Sequence, residues 1–295
     1  MPIILYVLLV LLSLIWGASF YFIKIIVEAS NPWAVTFLRC FSGALFLFMF
    51  ILIRNKWFHY NRIPWVKLCL IGVVNSAIPW TLIAYSETLL TSSLTSILNA
   101  FAPIWTLVVG VLFFQSKSTP LQWIGVAFGL AGIFILSEVS WGFWQDASIL
   151  GFAAMMLTTL CYACGAHFSK KYLQQVPVEW IAFVTLLSGM MFSSVGMLLS
   201  GQFFDPQLFV DPMILFAVVG LGVFGSGLAY IIFYTILQKG TAEFAIFVTY
   251  LVPPFAIIWG AGLLQEPIHW RLFVGLILIL SGVYISGRRK KRLSG

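Results

Sequence analysis

The chain has 295 residues, of which 61% are hydrophobic and 8% charged, and a formal net charge of +7. So few charges cannot solvate one or two soluble domains of that length, which excludes a soluble enzyme or binding module. The basic excess is not a nucleic-acid footprint either, because Lys and Arg stand in alternate short segments between long apolar runs.

Each run is long enough to cross about 30 Å of hydrocarbon as a helix. Ten spans are predicted, over residues 3–26, 33–53, 66–88, 91–114, 120–138, 149–170, 178–200, 213–236, 241–264 and 270–287. The expected fold is therefore all-α and polytopic. The first span has no basic start, and a similar segment recurs where nothing could be cleaved, so it reads as a membrane helix rather than a signal peptide. Arg54, Lys56, Arg62 and Lys67 lie after the second span, Lys117 after the fourth, Lys170 and Lys171 at the end of the sixth, and Lys239 after the eighth. The chain ends on GRRKKRLSG. The other loops hold Glu28, Glu87, Glu138, Asp146, Asp205, Asp211 and Glu266, with Arg271 the one basic residue near them. By the positive-inside rule, both termini are expected in the cytoplasm, with the chain in a plasma or inner cell membrane. The tail, 289–295, reads as a topology anchor, with contact to anionic lipid headgroups as the second reading. Cys40, Cys69, Cys161 and Cys164 all fall inside spans, so no disulfide framework is expected.

The two halves repeat. A shift of 150 residues superposes Gly72 on Gly222, Ser76 on Ser226, Thr91 on Thr241, Pro103 on Pro253 and Gly132 on Gly282. In the earlier spans a shift of 146 superposes Phe22 on Phe168, Lys24 on Lys170 and Gly43 on Gly189. The difference falls in the longer loop SGQFFDPQLFVDP. Residues 1–140 and 141–288 are thus read as two copies of one five-helix unit. An odd number of spans makes the second copy enter the membrane from the opposite side, the inverted-repeat pattern of secondary transporters.

LSLIWGASFYFIK, FLRCFSGALFLF and the paired segments AFAPIWTLVVGVLFF and YLVPPFAIIWGAGLL, each followed by a glycine-bearing helix, resemble EamA-type proteins of the drug/metabolite transporter superfamily. The resemblance covers essentially the whole chain. It implies a ten-helix fold of two inverted five-helix units around a central cavity that moves amino acids or other small metabolites. The family commonly has Glu after the proline helix; Glu266 matches that position and Ser116 departs from it.

At about 1.5 Å per residue, Pro103 and Pro253 each lie about 18 Å along their spans, near the bilayer midplane. Each removes a helical donor from the carbonyl four residues back, that of Asn99 in one copy and of Thr249 in the other. Pro254 does the same to Tyr250. Such carbonyls are tolerated only against protein or a water-filled cavity. The two readings are a kink that forms part of the substrate pathway and a packing kink satisfied by neighbouring helices. Trp16 pairs with Tyr162, and Trp80 with Tyr230, under the repeat shifts. All four fall near mid-membrane, away from the interfacial belts, and their polar tips want partners. They either line a cavity with Asn75 and Tyr85 or simply pack. Arg39, about 9 Å inside its span, has Thr185 as its repeat mate. It either binds a substrate carboxylate, pairs with Glu87 in an outer gate, or snorkels to the headgroups. Lys24 and Lys170 read as anchors or symmetric gate residues.

No Asp or Glu stands out at mid-membrane, and His167 lies toward a span end, so the sequence identifies no proton carrier. CYACGAH puts Cys161, Cys164 and His167 on one helical face, an incomplete metal set that reads as packing. GLGVFGSG reads as close helix packing, or as a flexing element. Ser226 lacks any identifiable base, and there is no Walker sequence. The expectation is a non-enzymatic secondary transporter without cofactor or metal, working by alternating access on a small-molecule substrate. A small metabolite, with an amino acid as one candidate and export favoured, is the first reading. A lipid-linked carrier translocase or flippase on the same fold is the alternative. Monomer and homodimer are both left open.

Overall fold

In hydrocarbon, each backbone N–H and C=O must be satisfied within its own segment or by neighbouring protein. The computed structural model, which describes residues 2–54, 64–136, 148–264 and 270–287, accordingly consists of helices joined by short links, with no strand among the described residues. In chain order the first half holds α1 (Ile3–Ala29), α2 (Pro32–Ile53), α3 (Trp65–Gly72), α4 (Ile78–Leu89), α5 (Ser92–Asn99), α6 (Ala102–Phe114) and α7 (Pro120–Leu136). The second half holds α8 (Ser148–Tyr172), α9 (Val178–Ser200), α10 (Pro212–Val219), α11 (Ala229–Lys239), α12 (Ala242–Ile246), α13 (Val248–Leu264) and α14 (Trp270–Gly287). Eight stretches among the described residues are long and apolar enough to cross a membrane. α7 and α14 are two further apolar helices, of 17 and 18 residues.

The repeat is visible in local structure. Thr91 and Thr241, superposed by the sequence shift, do the same work: each hydroxyl accepts from the backbone N–H three residues on, at 3.2 Å, and starts a helix. α3 and α4 form one continuous span through a π-helical turn at Val73–Ala77. α10 and α11 are joined the same way through Gly220–Leu228, which contains the repeat-equivalent positions. π turns widen the helix and leave carbonyls for side-chain partners. The sequence showed only the glycines and serines of these segments, not the change of winding.

The prolines sit differently from the expected matched kinks. In the first copy the chain breaks at Ala100 and Phe101, and Pro103 occupies the first turn of α6, where no N–H is needed. In the second copy the break is at Phe247, six residues before Pro253, and Pro253 and Pro254 both lie inside α13. The first copy ends α6 with Gln115 in the left-handed region (φ 50) and a bond from Ser116 N–H to Gly110 O at 2.9 Å, without the Glu seen after the second proline helix. Glu266 itself lies outside the described residues.

Equivalent helices of the two halves pack on each other antiparallel. Along α2, Trp33, Cys40 and Phe48 meet Gly196, Gly189 and Phe183 of α9 in reverse order. Along α7, Gly125 and Gly132 meet Gly282 and Gly275 of α14, also in reverse. Glycine permits this approach: a Cβ on Gly282 would stand 2.5 Å from Gly125 O and 3.0 Å from Gly129 N. Because apolar helices gain little from leaving lipid for one another, such backbone contact is a main source of their association. Gly282→Ala should therefore destabilise the protein by about 1–3 kcal/mol, while Gly262→Ala, which would meet nothing within 4 Å, should not destabilise it and should raise stability by up to about 1 kcal/mol. Chemical unfolding in detergent micelles checks both.

Candidate functional site

The two π turns face the centre of the bundle and organise what lies there. Trp16 of α1 donates its indole N–H to Gly225 O at 3.0 Å, and Tyr230 donates its hydroxyl to Asn75 O at 2.9 Å. Asn75 Nδ2 donates to Tyr234 Oη at 3.1 Å, and Tyr234 shares a further bond with Thr185 Oγ1 at 3.1 Å. The freed carbonyls of each π turn thus hold aromatic side chains in fixed positions.

Three of these groups, Trp16, Asn75 and Tyr230, line a cavity between the two turns. Trp16, Asn75, Trp80, Asn99, Tyr162, Tyr230 and Thr249 all line it, and so does Arg39. Both halves contribute from equivalent positions: Trp16 and Tyr162, Trp80 and Tyr230, Asn99 and Thr249. Ser19, Phe20, Ile23, Ile83, Phe233 and Ile246 complete the wall. Ser19 and these apolar residues gave no sequence signal, although Ile83 and Phe233 are themselves repeat mates.

The polar equipment of the cavity is sparse and specific. Arg39 is buried, with its guanidinium 3.5 Å from the centroid of the Trp80 ring and Nε donating to Ser226 Oγ at 3.1 Å. That stack is a desolvated cation–π contact. In this arrangement Arg39 is buried rather than snorkelling and does not pair with Glu87, two of its three expected roles; the ion pair among the described residues is Lys24 with Glu28, at 3.3 Å. The Oδ1 atoms of Asn75 and Asn99 are buried without a hydrogen-bond partner. Two orphaned acceptors and a cation beside aromatic faces suit a solute that carries both an acceptor group for Arg39 and hydrogen-bond donors.

Other expected residues lie elsewhere. Pro103 and Pro253 stand outside the cavity lining. Tyr250 points away from it, donating to Val126 O at 3.4 Å, with its ring against Gly129. Tyr85 is 38% exposed on the outside of the bundle. His167 is buried at the contact of α8 with α6, with Nε2 2.8 Å from Thr106 O and its ring stacked on Phe114 at 4.8 Å. Glu87 is fully buried in the last turn of α4; its position near a predicted loop had hidden this.

Lys24 and Lys170 form a matched pair of pins. Lys24 Nζ donates to Glu87 O at 2.9 Å, and Lys170 Nζ donates to Leu237 O at 2.9 Å. The two lysines are equivalent by the shift of 146 and the two carbonyls by the shift of 150. Each lysine caps a helix C-terminus within its own half, where a cation meets unpaired carbonyls and the negative end of the helix dipole. Both therefore hold helices of one half together in this arrangement.

A bundle of two antiparallel helical repeats, embedded by its apolar surface and closed around a shared cavity, defines a polytopic membrane transporter. The model of the EamA-like transporter family matches residues 3–138 and again residues 149–288, and the chain belongs to that family. An uncharacterized transporter of Archaeoglobus fulgidus is 27% identical, with 97% of this chain and 99% of that one covered. The uncharacterized inner membrane transporter YedA of Escherichia coli is 26% identical, over 93% and 90%. A protein of Salmonella typhimurium described as a probable amino-acid metabolite efflux pump is 25% identical, over 97% of each chain. A solved crystal structure at 17% identity covers 100% of both chains with a TM-score of 0.79, which shows a shared fold.

The pins generate a paired expectation. Lys24→Met and Lys170→Met should each lower stability by about 1 kcal/mol, a charged hydrogen bond discounted for partial exposure. Unfolding midpoints in detergent should fall by similar amounts for both.

Proposed function

We propose that the protein is a secondary transporter that moves a small metabolite by alternating access, with export as the favoured direction. The observation that carries this reading is the cavity at the junction of two antiparallel repeats, walled by equivalent residues from each. Two similar halves of opposite orientation can exchange conformations, which carries one central site from one face of the membrane to the other. The ten predicted spans, with both termini cytoplasmic, complete the proposal.

The cavity favours a small solute over a lipid-linked carrier. It has mainly apolar walls and a few placed polar groups, the pattern of small-molecule sites. Arg39 suits a carboxylate, Asn75 and Asn99 suit an amine, and the aromatic walls suit an apolar body. An amino acid or a related amphipathic metabolite meets all three demands. The Salmonella relative described as a probable amino-acid metabolite efflux pump supports the same class.

Proteoliposomes containing the full chain test the reading, with uptake of a tritiated mixture of the protein amino acids measured beside the flipping of headgroup-labelled phospholipid. Solute movement without lipid flipping is expected; lipid flipping without solute movement would overturn the proposal. Asn99→Ala should slow solute uptake about tenfold or more, the scale of one lost polar interaction, with little change in thermal stability. Unchanged uptake kinetics would remove Asn99 from the pathway.

A further inference from the structure

Glu87 is a buried carboxyl that the lysine pin does not need. In the second repeat the equivalent residue is Leu237, and Lys170 caps its carbonyl at the same 2.9 Å that separates Lys24 Nζ from Glu87 O. The fold therefore asks only for an apolar side chain at this position, and the first half has placed an acid there.

That acid is fully buried, 0% exposed. Oε1 makes no hydrogen bond, and Oε2 has one long contact, from Ser92 Oγ of α5 at 3.4 Å. The charged groups facing it are Lys24 and Glu28 of α1 and Arg39 of α2. Lys24 is engaged by the carbonyl of Glu87 and by Glu28, and Arg39 by Ser226 and Trp80. α8 meets this part of α4 at Gly151, which accepts from Ser86 Oγ at 3.1 Å, and carries no titratable side chain from Ser148 to Thr159. A carboxylate with one oxygen bare in such a setting is strongly unfavourable; the neutral acid is not.

Glu87 is not in the cavity lining but lies close beyond it. It stands one helical turn beyond Ile83, and its partner Lys24 follows Ile23; both isoleucines line the cavity wall. Opening of the cavity edge here would wet Glu87, and Lys24, already held at the Glu87 carbonyl, would then turn to the carboxylate.

We propose that Glu87 is the proton-binding site that couples transport, an inference that rests on the transporter reading above. In the arrangement described here the side chain is the neutral acid. When the cavity edge opens, its O–H bond breaks, the proton passes to water, and the carboxylate pairs with the ammonium of Lys24 as that group leaves Glu28. Return to the closed arrangement requires a proton to be taken up again. Proton release on one face and uptake on the other then accompany each cycle.

Infrared spectroscopy of the full chain in detergent at neutral pH tests proton occupancy without any substrate. The wild-type protein should show the carbonyl stretch of a protonated carboxylic acid that is lost in Glu87→Gln and returns, shifted, in Glu87→Asp. Identical spectra for wild type and Glu87→Gln would overturn the proposal, whatever the protein transports. Proteoliposomes loaded with a pH-sensitive dye and given the amino-acid mixture then test coupling. A pH change in the lumen is expected with the wild type and should be lost in Glu87→Gln. Solute uptake that proceeds with no proton movement, or that requires sodium instead, would also overturn it. Failure of the mixture to move at all, with the infrared band present, would instead count against the amino-acid reading of the cargo.

Discussion

Every carbonyl that leaves the regular helical ladder inside the bilayer must be met by a donor from the protein, and that one requirement organises this molecule. The π turn at Gly220–Leu228 offers Gly225 O, and Trp16 meets it; the turn at Val73–Ala77 offers Asn75 O, and Tyr230 meets it. At the break before α13, the Thr249 hydroxyl meets Ile246 O at 2.9 Å. At the helix ends, Lys24 and Lys170 meet the last carbonyls of α4 and α11. The side chains that satisfy the backbone are in large part those that line the cavity, so the same contacts secure the fold and place the site. Substituting one of them acts on both, which is why stability must be measured beside transport for any cavity variant.

The two halves share a backbone plan and differ in chemistry at matched points. Arg39 of α2 contacts Ser226 of the second π turn, while its mate Thr185 of α9 accepts from Ser76 of the first, at 3.2 Å, through its carbonyl. The same exchange occurs one layer away, where Gly225 faces Ser19 and Gly165 faces Asn75. At each crossing a glycine makes room for a polar side chain, yet the glycine sits on opposite helices in the two copies. A symmetric scaffold thus supports an asymmetric cavity, with its cation, Arg39, supplied by the first half. In the proposed mechanism, symmetry would supply two related conformations, and these departures from it would set which solute the cavity accepts.

Much of this arrangement is readable in the residues. Matched Gly, Pro and Thr positions reveal the duplication, and the matched pairs Trp16 with Tyr162 and Asn99 with Thr249 lead to the cavity. What fails is anything that depends on how neighbouring helices cover a residue. Glu87 precedes a two-residue link and reads as a loop edge, but α1 and α8 close over it. Arg39 reads as a site for a substrate carboxylate, a partner for Glu87 or a headgroup anchor, and the sequence gives no sign that the aromatic face of Trp80 and the hydroxyl of Ser226 hold it. The prolines point to the right region but not to the breaks themselves, which fall at Ala100 and Phe101 and at Phe247, while Pro103 starts a helix and Pro253 lies inside one. The π turns give no signal of their own, since winding is set by which carbonyls find donors across the bundle.

The claim on which the functional account depends is that one central site faces the two sides of the membrane in turn. Thr249→Cys, introduced after replacement of the four native cysteines, places a reporter in the cavity wall. A membrane-impermeant maleimide applied to right-side-out and to inside-out vesicles measures its access from each face. The account predicts labelling from both faces, with each protected by the solute that the protein carries. Labelling from one face alone, under all conditions of gradient and solute, would contradict it.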